Sequence, residues 1–119
     1  MNLPTHCRIY LPGNRVYRFD ASLFDQSFKY TAEGTYHMTI NLNKLRDTDF
    51  DIVTEWLDHH RNDSMRRKLQ YKREDIRMKR WDHQFLRRLR PRVAERVMTI
   101  AMIMGFERLQ THLRIVFNQ

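Results

Sequence analysis

Phe50–Phe85 decides the fold: FDIVTEWLDHHRND at 50–63, a polar spacer, then WDHQFL at 81–86. Phe50, Val53 and Trp56/Leu57 recur at helical spacing, so a helix runs through the first part. Thr48 and Asp51, three apart, are read as a variant capping box that starts it. Trp56, Trp81 and Phe85 are the largest apolar side chains of the region and are expected to anchor a core. How they are buried fixes how the two ends of the spacer meet.

Outward from that stretch the pattern is mixed. Cys7–Leu11 and Arg15–Phe19 are rich in β-branched and aromatic residues, with turn formers Pro12-Gly13-Asn14 between them. A hairpin is predicted, with Ile9, Leu11, Val16 and Phe19 supplying much of its inner face. Asp20 or Ser22 caps a helix expected over Ala21–Tyr30, with Leu23, Phe24 and Phe28 on one side and Glu33-Gly34 breaking it. Tyr36–Leu42 alternates, placing Tyr36, Met38, Ile40 and Leu42 on one face of a third strand. Pro91 suits the first turn of a helix over Arg92–Met104, whose buried face carries Val93, Val97, Ile100, Ala101 and Met104, and Gly105 ends it. Phe106, Leu109, Leu113 and Val116/Phe117 then form another apolar stripe. Strands followed by helices give an α+β class.

The order of these pieces resembles the Skp family of ubiquitin-ligase adaptors, which have the BTB/POZ fold. In that family a Trp-Cys-x-His-His segment closes a helix, a charged insert follows, and Trp-Asp-x-x-Phe-Leu opens the next helix. The matching residues are Trp56, His59, His60, Asn62, Asp63, Trp81, Asp82, Gln84, Phe85 and Leu86. RIYLPGNRVYRFDASLFDQS is similar to the family's opening hairpin and first helix, and AERVMTIAMIMGFERLQ to its later apolar helix. The resemblance implies an α+β BTB/POZ (Skp-like) fold, a three-stranded sheet packed on a cluster of helices, with Trp81 as a buried tryptophan. It also implies an adaptor that bridges cullin to an F-box-type receptor. The cullin-facing positions are Met102 and Ile103, where the family usually has an asparagine–tyrosine pair. Phe106, Leu109, Leu113 and Phe117 are expected to face an F-box receptor or a second copy in a homo-oligomer. Family members continue into two further helices that grip the F-box, whereas this sequence ends at Gln119.

Composition bounds the alternatives. The 119 residues suit one domain, read here as 1–119 with a basic, flexible insert at about 62–80. No apolar run reaches the ~18 residues that cross a bilayer, and MNLPTHCRIY lacks a signal pattern, so no membrane role is expected. The single cysteine, Cys7, suits a reducing compartment, cytoplasm or nucleus. The net charge of +8 is local: Arg61–Arg92 holds 13 Lys/Arg against 4 Asp/Glu, and the rest of the chain holds 9 against 10. Skp-family inserts tend to be acidic, so this one departs from the pattern.

That basic segment carries the rival reading, a nucleic-acid patch at Arg66, Arg67, Lys68, Lys72 and Arg73, with Tyr71 and Trp81 available to stack on bases. The blander alternative is a solvated insert. Asp58-His59-His60 invites a metal reading, but adjacent helical side chains point about 100° apart, so a solvated helix end is expected. No Gly-rich phosphate loop, nucleophile context or ligand spacing is present, so neither catalysis nor a cofactor is expected.

Overall fold

The computed structural model describes residues 6–29 and 37–117. Strands β1 (His6–Leu11) and β2 (Arg15–Asp20) form an antiparallel hairpin that pairs Leu11 with Arg15 and His6 with Asp20. Gly13 and Asn14 take positive φ, 77° and 57°, which is the freedom those residue types bring to a tight turn. Strand β3 (His37–Thr39) lies parallel to β1 on its other side, giving a mixed sheet in the order β2-β1-β3.

The register sets the inner face. Ile9 pairs with Tyr17 and Cys7 with Phe19, so Cys7, Ile9, Leu11 and Phe19 are buried and Tyr17 packs beside them. Val16, expected to point inward, is exposed, because it alternates with Tyr17 across the pleat. On β3 and beyond, Met38, Ile40 and Leu42 contribute to the core while His37, Thr39 and Asn41 are exposed. The regular strand is shorter than expected, and Tyr36 and the Glu33-Gly34 break lie outside the described residues.

Asp20 does cap the segment after β2: the Ser22 N–H donates to its Oδ1 at 3.0 Å. The element is a single 3-10 segment, Ala21–Gln26, rather than a helix to Tyr30, which is itself outside the described residues. It stops because Ser27 and Phe28 turn to bind the end of another helix. The Ser27 hydroxyl donates to the Met104 carbonyl at 2.6 Å, and the Phe28 N–H to the Gly105 carbonyl at 2.8 Å. Phe28 is thereby pulled away from Leu23 and Phe24 into solvent.

Five α-helices complete the described chain: α1 (Asp47–His59), α2 (Met65–Lys68), α3 (Arg80–Arg87), α4 (Pro91–Met104) and α5 (Glu107–Phe117). The start of α1 is capped differently from the sequence reading. Asp49, not Asp51, turns back to accept the Arg46 N–H at 2.9 Å, and Arg96 of α4 donates to the same carboxylate oxygen at 2.8 Å. Phe50, Val53, Trp56 and Leu57 are buried as their spacing predicts. Helix α1 packs on α4, α4 on α5, and α3 on α5. Gly105 ends α4 with φ 75°, and a Cβ there would lie 2.8 Å from Ser27 Oγ and 2.7 Å from Lys29 Cγ. Both the left-handed conformation and the close approach require glycine.

Candidate functional site

The two tryptophan segments do meet. Trp56 is fully buried, and Trp81 lies against the core, stacked with His59 at 3.5 Å and with Phe85 at 4.8 Å between ring centroids. Trp81 and Phe85 are rim anchors, only partly buried, rather than central ones.

Beside them sits a buried ionic cluster that corrects the solvated-helix-end reading for His60, while Asp58 and His59 are exposed as that reading expected. His60 is buried and turned inward. Its Nδ1 lies 2.8 Å from Asp63 and its Nε2 2.6 Å from Asp82, so both ring nitrogens meet a carboxylate. Arg108 of α5 donates through Nη1 to Asp63 at 2.9 Å, and its guanidinium lies 5.8 Å from the Trp56 ring. His112, one turn later on α5, meets Trp56 edge-on and lies 3.8 Å from Asp82.

Burial alone would push the Asp63 and Asp82 carboxyls up. The hydrogen bond from His60 to each, with Arg108 added at Asp63 and the charges of His60 and His112 at Asp82, outweighs burial and holds both below the usual carboxylate value. His112 goes the other way: burial lowers its pKa to about 4, against a smaller upward pull from Asp82, and neither ring nitrogen has a hydrogen-bond partner among the described residues. The cluster joins the end of α1, the start of the spacer, α3 and α5. His60, Arg108, Asp63 and Asp82 are matched to one another, which makes the cluster a clasp. Among the described residues no group of three or more His, Cys, Asp or Glu could hold a metal ion, and no helix is long and apolar enough to cross a membrane.

The spacer is tied to the body at several points. Lys68 donates to Asp25 at 2.6 Å, the Thr111 hydroxyl donates to the Tyr71 carbonyl at 2.6 Å, and Met78 packs on the core, while within the spacer Ser64 caps α2 by accepting the Arg67 N–H. Lys68 is therefore buried and already neutralised, and it does not belong to a nucleic-acid patch. Lys72 and Arg73 are exposed. Arg66 and Arg67 line a cleft that they share with Arg77, just before α3, and Arg108. Sequence proximity could not reveal that grouping. Arg108 and His112, polar residues four apart inside the stripe of Leu109 and Leu113, were its one legible trace.

The residues expected to face a receptor or a second copy divide sharply. Phe106, Leu109 and Leu113 are 1%, 0% and 2% exposed, so they are core and have no surface to offer. The stripe was real, but Phe19 and Phe24 stack on Phe106, and α3 and α4 pack on α5. Phe117, 38% exposed, lines an open groove of about 660 Å³ with Met98 and Pro91. Met102 is 51% exposed, and Ile103 beside it is partly buried against the core. Lys29 donates to the Met102 carbonyl at 3.0 Å, while exposed Phe28 meets exposed Tyr71 edge-on. Exposed apolar side chains thus gather near the C-terminal end of α4.

Compared with protein-family models the chain matches none, and compared with curated proteins it matches none.

Proposed function

We propose that this α+β domain is a non-enzymatic interaction module with a Skp-like BTB/POZ fold, an adaptor of the cullin–F-box type. In that role one face binds cullin and another a substrate receptor, and the adaptor contributes position rather than chemistry. The observation that carries the reading is the exposed Met102 on α4, next to an Ile103 that is half-buried against the core. Methionine at an exposed position makes an adaptable apolar contact. Covering ~300 Å² of such surface favours association by several kcal/mol before ordering costs, at about 25 cal/mol per Å². Supporting it are the three-stranded sheet ahead of the helices and the packing of the WLDHH and WDHQFL segments on each other.

The test is a pull-down with a cullin N-terminal domain, using the unaltered protein and Met102→Asp. Met102 is chosen over Ile103 because its side chain is free of the core, so the variant keeps its fold. The adaptor reading expects capture by the unaltered protein and loss by the variant. No capture of the unaltered protein sinks the ligase role.

A further inference from the structure

The fold matches most of its half-buried cations with carboxylates. Arg61 pairs with Asp20 and Asp58, Lys68 with Asp25, Arg96 with Asp49, and Arg108 with Asp63. Arg67, also half-buried, and the exposed Arg66 and Arg77 beside it are not matched in this way among the described residues. They line one cleft of about 460 Å³ with Arg108 as its inner wall, and none of the three has a carboxylate within ion-pair distance among the described residues. A convex surface would let such charges solvate separately. In a concave site their mutual repulsion is focused, and a bound anion relieves it.

We propose that this cleft is a docking site for a phosphate monoester, the phosphorylated serine or threonine of a peptide segment in a partner protein. Four guanidinium groups face one lining carboxylate, Asp75, and Arg108 is held in place by Asp63. Guanidinium forks match the three acceptor oxygens and near-double charge of a monoester better than a single carboxylate. Ser64 and Gln70 add neutral polar groups to the lining, suited to the peptide flanking the ester. A nucleic-acid backbone fits less well, because it asks for a continuous cationic track, and buried, paired Lys68 interrupts the run from Arg66 to Arg73. This inference goes beyond the adaptor role and does not depend on cullin binding.

The experiment is fluorescence anisotropy at low salt on the full chain. The probes are a short neutral peptide carrying one phosphothreonine, the same peptide unphosphorylated, and a single-stranded oligonucleotide. Two triple variants remove equal charge from exposed or half-exposed positions: Arg66→Gln/Arg67→Gln/Arg77→Gln in the cleft, and Arg87→Gln/Arg88→Gln/Arg92→Gln outside it. The proposal expects at least about tenfold tighter binding of the phosphorylated peptide, loss of that preference in the cleft variant and its retention in the control. Circular dichroism checks that both variants stay folded. It is overturned if the phosphopeptide does not bind, if both triples weaken it equally, or if the oligonucleotide binds better and loses affinity equally in both.

Discussion

Replacing His112 by leucine should flatten the acid side of the stability curve. In the folded protein burial lowers the His112 pKa to about 4, whereas the unfolded chain carries an ordinary histidine near 6.5. Between those values the unfolded state binds the proton and the folded state resists it, so stability falls as pH drops through 6.5 towards 4. With those two values the linkage loss is about 1.4 kcal/mol at pH 5.5 and about 2.5 kcal/mol at pH 4.5, relative to pH 8. The carboxylates of Asp63 and Asp82 do not blur this window. Their depressed pKa values mean that what they contribute is present above ~3.9 and lost only below it. Leucine is close to histidine in volume and leaves no unpartnered ring nitrogens. It forfeits the edge-on contact with Trp56, but that packing change is the same at every pH. Urea unfolding at pH 7.5, 5.5 and 4.5 measures the slope for both proteins. The variant should lose most of the decline, gaining about 2 kcal/mol on the original at pH 4.5 relative to their difference at pH 7.5. Parallel curves would mean that the buried imidazole is not what titrates, and the account of the clasp would fail.

Gly105→Ala should destabilise by about 1–3 kcal/mol, since it puts a Cβ at positive φ into Ser27 and Lys29, and thermal melting should show a drop of several degrees. Phe106→Ala should cost about 3–5 kcal/mol in denaturant unfolding, while Phe117→Ala should cost well under ~1 kcal/mol, because only the first is in the core. Equal costs would contradict the burial assigned to the two ends of that stripe.

Helix positions along the second half of the chain were legible because one face of each is apolar at helical spacing. Phe50, Val53 and Trp56 in α1, and Val97, Ile100 and Met104 in α4, are buried where the period put them. Turn chemistry was equally readable: Pro12-Gly13-Asn14, Pro91 and Gly105 each do what their backbone limits require. Which apolar residues would be left on the surface was not readable. Leu109, Leu113 and Phe117 belong to one pattern, yet two are sealed and one lines an open groove, because covering depends on which distant elements pack over each position. The inner face of β2 failed for a related reason: alternation gives two choices, and the pairing of Ile9 with Tyr17 selects one.

Charge was the least local property. The sequence alone established a basic segment, its position and its size. The tertiary structure decided what each charge meets: Lys68 a carboxylate 43 positions away, His60 two carboxylates, and Arg66, Arg67 and Arg77 none within ion-pair distance among the described residues. The physical reason is range. Helical period and turn preference act within a few residues and survive in the linear order, whereas an ion pair acts through space and depends on which distant segments the core has drawn together.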